Sequence, residues 1–546
     1  MKAHPAAWAS AFPQGDRATL ERALPDYLLH CRWFRGKARS IKSAAVIDVI
    51  AVPGAADAGA LALIGVDYAD ADSETYVLPL ALATGDRANE IVSRSPERML
   101  AAIGHDPSDG VFYDAVIDPQ FSLALLDMIE HQRCFRGSLV EIAAAATGRF
   151  GELRGSTAQS ITPRVLKAEQ SNTSIIFGDR LVLKLLRRLD AGVNPEVEIG
   201  RFLTECSPSV HVPPLAGWID FRMGGSSAGN LAVLQSFVGN QGDAWHFTLT
   251  ELDRYFAATA TAGEPPSPPR EHFTELADEA EPDRIAARYI GAYLDAARLL
   301  GKRVAELHLA LSSGSDDAAF AAERWLARDQ RLAHQAMDAM LVQAFTLLAR
   351  RLPALPVELR AHAEKVIDCR DHIAARFEAF RECRPTVARM RCHGDLHLGQ
   401  VLYTGDDFVI IDFEGEPARP LAERRRKRAG LVDVAWMLRS FHYAAYTAMV
   451  EHQRRPSKAM DATLHWANAW QTWSSWAFLR AYVQTAGGAA SIPKTREEMR
   501  ILLDAFLMEK AIYELVYELN NRPDWLVVPL QGIAQILGME ESVSAH

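Results

Sequence analysis

Residues 391–417 read RCHGDLHLGQVLYTGDDFVIIDFEGEP. Within them stand His393-Gly394-Asp395, a side-chain amide at Gln400, a polar turn at 404–407, and an apolar run that ends on Asp412-Phe413. Phosphoryl transfer needs a carboxylate to orient and deprotonate an acceptor hydroxyl, and oxygen ligands to hold Mg²⁺ on nucleotide phosphates. Asp395 can supply the first, and Gln400 with Asp412 the second. Asp395 and Gln400 stand five positions apart, the step of the H-x-D-x-x-x-x-N loop. A hairpin between Gln400 and Asp412 brings both to one end, near Asp395. Carboxylates in so apolar a stretch need partners, which favours function over packing. His393 and His397 could be read as a transition-metal pair, but carboxylate and amide oxygens suit a hard cation better. His393 is expected to order the loop backbone.

Upstream, Leu181-Val-Leu-Lys-Leu-Leu-Arg187 alternates so that Lys184 faces one side of a strand. A strand lysine over a nucleotide can hold its phosphates as a point charge, although edge strands also carry protective lysines. In the following helix (195–203), opened by Asn194-Pro195, Glu198 is the expected ion-pair partner and Glu196 the alternative. The polar turn Gln170-Ser171-Asn172-Thr173-Ser174 lies between predicted strands 161–166 and 173–177, where it can cap phosphate oxygens or be an ordinary turn. Gly178-Asp179 marks a hairpin into a strand at 180–186. A further strand at 231–237 brings Gln235, with Val238 just beyond, into the expected nucleotide-contacting set. Strand, turn, Lys-bearing strand, helix and strand make the layout of a kinase small lobe.

A chain of 546 residues implies more than one packed unit. With 49% hydrophobic and 23% charged residues, it has the composition of a globular protein. A net charge of −10 argues against a nucleic-acid partner held by bulk electrostatics; the basic run 424–428 reads as a solvated segment making one or two ion pairs. The six cysteines form no C-x-x-C pair and suit reduced thiols; Cys392, beside His393, reads as a small packed residue rather than a nucleophile. No apolar run approaches the roughly 18–20 residues of a membrane helix, and the N-terminus lacks a basic-then-apolar signal, so no membrane partner and a cytoplasmic location are expected.

Three divisions are expected: 1–105, a small α/β cap; 106–240, an intermediate region and the β-rich lobe; and 241–546, a helical lobe. The cap reads as a helix (19–30), the segment Arg32-Trp33-Phe34-Arg35-Gly36-Lys37, and strands at 44–52, 61–66 and 75–81. That aromatic and basic segment is either a binding patch or a folded edge with stacked arginines. A helix is expected at 122–131. The tract 261–281, rich in Pro and acidic residues, reads as a flexible insertion. Helices are expected at 282–310, 318–351, 357–382, 432–452, 463–485 and 495–520. In the last three, Trp466, Trp470 and Trp473 share one face, Tyr443 and Tyr446 another, and Tyr513 and Tyr517 a third beside Glu514 and Arg522. Such faces can stack on pyranose rings, or fill a helical core.

The catalytic loop resembles that of the aminoglycoside-phosphotransferase branch of eukaryotic-like kinases, and within it the bacterial maltokinases. The resemblance runs through Ala168–Ser174, Val193–Glu196, His393–Gln400, Asp412-Phe-Glu-Gly-Glu-Pro-Ala-Arg-Pro420 with Glu423–Lys427, Met437–Phe441 and Glu518–Trp525, with Arg32–Lys37 similar to the family's N-terminal cap. It implies a bilobal α+β kinase-like fold with an N-terminal cap. It also implies ATP and Mg²⁺, and transfer of phosphate to the anomeric hydroxyl of maltose, giving maltose 1-phosphate for α-glucan and glycogen synthesis. His393, Glu414, Arg419, Tyr443, Tyr513, Tyr517 and Glu514 are the sugar contacts expected with it. The likeness extends to kinase portions fused to trehalose synthase, which makes that enzyme an expected partner. Val432 stands where the family usually has Arg, and Trp436 where it has a small residue. A kinase of the same fold acting on glucosamine or an aminoglycoside is the alternative. A third reading, an inactive scaffold docking a trehalose-converting enzyme, is opposed by Asp395, Gln400, Asp412 and Lys184 occurring together.

Overall fold

The computed structural model describes residues 12, 16–54, 59–156, 161–166, 171–224, 227–259, 284–314, 316–417, 419–453 and 460–539. The expected insertion at 261–281 and the segment Ala168-Glu169-Gln170 lie outside them. Two compact units emerge. The first comprises Met1–Glu205, Pro213–Gly239 and Arg419–Glu423; the second comprises Cys206–Val212, Asn240–Ala418 and Arg424–His546.

The first unit holds two antiparallel sheets. One has five strands in the order Ile41–Ala51, Ala60–Tyr68, Glu74–Ala83, Val111–Asp114, Met99–Ala102. Helix Arg17–His30 packs its Leu20, Leu24 and Leu28 into the same core as Trp33 and Phe34. The aromatic part of the 32–37 segment is therefore core. Because Val111–Asp114 belongs to this sheet, the cap's strands run past residue 105. The second sheet has seven strands, in the order Cys134–Arg136, Val140–Ala146, Leu215–Met223, Ser227–Ser236, Leu181–Leu185, Thr173–Phe177, Pro163–Val165. Its strand Leu181–Leu185 buries Leu181, Leu183 and Leu185 completely and turns Val182 and Lys184 to the other face, as a period of two requires. Asp48 of the first sheet is fully buried and accepts the backbone N–H groups of Ser138, Leu139 and Val140 at 3.0, 2.7 and 2.8 Å.

In the second unit, helices Ala244–Thr259 and Tyr293–Leu311 lie against the hairpin strands Val401–Tyr403 and Phe408–Ile410, and helix Leu431–Gln453 lies against the turn Leu398–Gln400 that precedes them. The helices differ in places from the sequence reading. Residues 284–311 break at Gly291, whose φ of +58° departs from helical geometry, and 357–382 break at Cys369. Residues 318–326 are not helical: Glu323–Arg324 pairs with Ala388–Arg389, and Lys427 Nζ takes the Ala318 and Ala321 carbonyls at 2.7 and 2.6 Å. Lys427 also meets Glu323, and Arg428 meets Glu509, so the basic run is used in ion pairs. Among the described residues no helix is long and apolar enough to cross a membrane.

Replacing Asp48 by Ala would strand several buried N–H donors at about 1–3 kcal/mol each. We expect Asp48→Ala to lower unfolding free energy by roughly 3 kcal/mol or more on that basis, and Asp48→Asn to lose less; urea denaturation measures both.

Candidate functional site

The hairpin forms as expected: Val401, Leu402 and Tyr403 pair with Ile410, Val409 and Phe408, and Thr404 N–H closes the turn on Asp407 O. Ile411 N–H donates to Gln400 O at 2.9 Å, extending the ladder one step. That step places Gln400 beside Asp412, and Gln400 Nε2 donates to Asp412 Oδ2 at 2.7 Å. Asp412 has φ +67°, a left-handed conformation unusual for a residue with a side chain. Such strain concentrates at sites where a side chain must be aimed. Carboxylate oxygens of Asp412 and Glu414 come within 4.8 Å of each other. Two carboxylates and an amide make an all-oxygen donor set that fits Mg²⁺. Glu414, expected at the sugar, is thus near Asp412 instead.

His393 is 1% exposed. Its Nε2 donates to Ile411 O at 2.8 Å, and its Nδ1 accepts from Asp395 N–H at 3.3 Å, so one tautomer serves both. Burial lowers its pKa and keeps it neutral, and Phe413 packs on its ring at 4.9 Å. His393 orders the loop, because both ring nitrogens are engaged by backbone. The loop is fixed further by Asp433, a fully buried residue that sequence reasoning missed. Its carboxylate accepts His393 N–H at 2.7 Å and Gly394 N–H at 2.9 Å. It also takes His308 Nε2 at 3.1 Å, while His308 Nδ1 meets Tyr482 OH at 2.9 Å. Although burial opposes the charge, these donors and the histidines hold the Asp433 pKa below its ordinary value. Gly394, at φ +81°, supplies the left-handed turn that leads the chain from these two donors into Asp395.

Asp395 is half buried, and desolvation pushes its pKa up to about 7. Lys510 opposes that rise, while Glu416, Asp412 and Asp433 add to it. Lys510 lies on two rings, its Nζ 3.8 Å from the Trp436 centroid and 4.7 Å from that of Tyr513. Tyr513 hydrogen-bonds the buried Glu416. Lys510 and Glu416 carry no sequence signal of their own; only the fold brings them to Asp395. Nearby His397 is held at about 4 by burial and accepts Gly399 N–H.

Other expected sugar contacts are committed elsewhere. Glu514 is paired with Arg439 at 2.6 Å, and Tyr443 OH donates to Glu518, which also holds Arg522. Tyr517 is 43% exposed with Arg522 over its ring at 5.5 Å. Trp466, Trp470, Trp473 and Tyr446 are buried core. Arg419 falls in the first unit.

In the first unit Lys184 Nζ meets Glu196 Oε2 at 2.9 Å. The ion pair is made by the alternative partner, since residues 196 and 198 point to different sides of helix Pro195–Cys206. Gln235, expected at the nucleotide, donates Nε2 to Glu196 Oε1 at 3.2 Å and so steadies that pair. Lys184 lies opposite Ser174 in the ladder. Thr173, expected to cap phosphate, accepts at its Oγ1 from Arg187 Nε at 2.8 Å. Asn172 and Ser174 are buried, Ser171 is half buried, and Val238 is half buried just past strand Ser227–Ser236.

Removing Asp433 would leave His393 N–H, Gly394 N–H and His308 without their common acceptor. Breaking a buried charged partnership costs about 3–5 kcal/mol, and we expect Asp433→Ala to lose that much stability in guanidinium unfolding. Amide exchange at Gly394 should accelerate more than the global loss accounts for.

Residues 27–118 match the maltokinase N-terminal cap domain, and residues 162–416 match the phosphotransferase enzyme family. The chain is 22% identical over 393 residues to a glucosamine kinase of Mycolicibacterium smegmatis, covering 71% of this chain and 83% of the relative. It is 25% identical over 147 residues to a glucosamine kinase of Streptacidiphilus jiangxiensis, covering 27% and 31% respectively. A solved glucosamine kinase in complex with glucosamine, ADP and inorganic phosphate aligns with TM-score 0.61 at 17% identity, over 97% of this chain and 99% of that one. Crystal form B of glucosamine kinase aligns with TM-score 0.62 at 17% identity, over the same shares of both chains. At such identity the likeness establishes fold. With a sheet lobe bearing Lys184, a helical lobe bearing the His393–Asp412 hairpin, and both domain matches in sequence order, the chain has a kinase-like fold in which residues 162–416 match the phosphotransferase enzyme family and residues 27–118 match the maltokinase N-terminal cap domain.

Proposed function

We propose that this chain is an ATP- and Mg²⁺-dependent sugar kinase that phosphorylates maltose at its anomeric hydroxyl to give maltose 1-phosphate, a product suited to α-glucan synthesis. The observation that carries the reading is the group around Asp395: a carboxylate poised near neutrality, with Lys510 on the Trp436 and Tyr513 rings and Glu416 tied to Tyr513. Asp395 orients the acceptor hydroxyl and takes its proton as the new O–P bond forms. A carboxylate with its pKa near 7 is a stronger base than an ordinary one yet still ionised just above neutrality. Gln400, Asp412 and Glu414 are the oxygen ligands for Mg²⁺, which when bound neutralises charge on the transferring phosphates. Lys184, steadied by Glu196 and Gln235, holds phosphate oxygens. Tyr513 and Glu416 offer a ring face and a hydrogen-bonding carboxylate to a sugar.

Lys510 bears on the choice of acceptor. A substrate ammonium at about 6 Å from it, at an effective dielectric of about 20, would cost roughly 3 kcal/mol. That favours a neutral sugar. The second reading, glucosamine, draws on the glucosamine kinase relatives and on the carboxylates of Asp395 and Glu416, which attract an amine. A trehalose synthase partner and a cytoplasmic location remain part of the proposal on the strength of the maltokinase resemblance.

Asp395→Asn should leave the fold intact and lower turnover by roughly 10²–10⁴-fold, the range for a lost general base. In the parent enzyme, log kcat/KM for sugar should rise with pH to a plateau with an apparent pKa near 7, because Asp395 must lose its proton to act. A flat profile from pH 5.5 to 8.5, or a folded Asn variant with normal turnover, would remove Asp395 from the role.

Acceptor choice is read by ADP release against maltose, glucose, glucosamine and trehalose, with ³¹P NMR of the products. Maltose should give an anomeric phosphate and be used best, and trehalose, with no free anomeric hydroxyl, should be inert. Lys510→Met should shift the glucosamine-to-maltose ratio of kcat/KM toward glucosamine by about 10-fold or more, given the size of that repulsion. Preferential use of glucosamine by the parent enzyme would overturn the maltose assignment and leave kinase chemistry standing.

A further inference from the structure

Three residues after Lys184, and in the same stretch of chain, lies Arg187, fully buried. Its guanidinium reaches three elements. Nη2 pairs with Asp114, also fully buried, at 2.9 Å; Asp114 ends strand Val111–Asp114 of the cap sheet. Nε donates to Thr173 Oγ1, at the start of the strand that pairs with the Lys184 strand. The plane of the group stacks on Trp33 of the cap, 4.8 Å from the ring centroid. The backbone repeats the connection: Val77 N–H donates to Arg187 O at 2.8 Å, and Leu189 N–H to Thr75 O at 2.9 Å. Residues 187–189 therefore act as a further edge on cap strand Glu74–Ala83. Nη1 is buried with no hydrogen-bond partner among the described residues, so the side chain is placed there at a cost that fold stability alone does not require. Buried ion pairs are poor sources of stability compared with apolar residues of similar volume, and are better explained by the geometry they fix.

We propose that Arg187 is a positioning residue of the nucleotide site, and that through it the cap is a working part of ATP binding rather than an appended domain. Trp33 and Asp114 hold the guanidinium. Arg187 in turn sets the position of the Lys184 strand and of Thr173, beside the Ser171–Ser174 turn. Lys184 touches phosphate; Arg187 acts only through Lys184 and Thr173. Only arginine can do this, because the planar fork supplies a stacking face and two directed N–H groups where lysine offers a point charge. The inference rests on the kinase reading above and adds the cap to its nucleotide-binding apparatus.

The test uses the full chain and compares nucleotide with sugar. Trp33→Leu removes the stack without stranding a charge, Trp33→Phe restores a ring face, and Arg187→Met with Asp114→Asn removes both buried charges together. For each variant with a parent-like circular dichroism spectrum, the Kd for Mg·ADP is measured by titration calorimetry and KM is measured for ATP and for the sugar. The expected result for Trp33→Leu and the paired variant is a weakening of nucleotide binding by about 10-fold, with sugar KM within about two-fold and recovery in Trp33→Phe, the scale of a desolvated cation–π contact. In a Lys184→Ala background the Trp33→Leu effect on ATP should largely vanish, since coupled residues are not additive. Folded variants with parent-like nucleotide affinity would overturn the proposal. So would equal losses for nucleotide and sugar, or full additivity with Lys184→Ala. A parent chain that fails to bind Mg·ADP at all would overturn the kinase reading itself, and this inference with it.

Discussion

The carboxylate of Asp433 is the constraint on which the catalytic loop depends. It is a charge with no access to solvent, at the start of helix Leu431–Gln453. Two of its donors are consecutive backbone N–H groups of the loop, and a third is His308 of helix Tyr293–Leu311, itself backed by Tyr482 of helix Met460–Ala486. One buried anion thus joins three helices to the peptide units on either side of His393. Removing a carboxylate from water costs several kcal/mol unless every lone pair finds a donor, so the arrangement is stable only when the loop is in place. That requirement fixes the backbone preceding Asp395. His393 then carries the order onward to Ile411, the residue before Asp412. Asp395 and Asp412 are set by one chain of hydrogen bonds.

What the sequence made legible was local. Alternation showed which face of its strand Lys184 occupies, the turn at 404–407 marked the hairpin, and the hairpin predicted that Gln400 and Asp412 would meet. Each depends on residues within a dozen positions of one another. The misses have a different character. Strand Val140–Ala146 ends in a run of alanines, the best helix formers, and is a strand because Leu215–Met223 pairs along its whole length. The tryptophans at 466, 470 and 473 share a helical face as the spacing says, but that face is core. Spacing reports direction and not what lies opposite. Asp433, Glu416 and Lys510 are single charged residues in ordinary helices or loops, and only tertiary packing gives them a role.

The same distinction applies to Arg32–Lys37, where sequence allowed either a binding patch or a folded edge. Trp33 and Phe34 are core, and the cation on Trp33 comes from Arg187, far along the chain. The aromatic character of the segment was therefore a signal of core packing. Its partner could not have been named without the fold, because the arginine that stacks is not one of the two beside the ring.

Trp436 and Val432, the two positions where the sequence reading expects a departure from the maltokinase pattern, are both buried on helix Leu431–Gln453. An arginine at 432 would bring a buried cation to a helix start already organised around one anion; valine there needs no partner. At 436 a small residue would leave Lys510 with only the more distant of the two rings it now lies on, that of Tyr513. A desolvated cation–π contact is worth about 2 kcal/mol, enough to hold a flexible lysine side chain against its rotamer entropy, itself about 2 kcal/mol. The indole N–H is buried with no hydrogen-bond partner among the described residues, so the ring is kept for its face and not for its donor. The large residue at 436 thus acts on Asp395 indirectly, by holding the ammonium whose field there opposes the desolvation that raises its pKa.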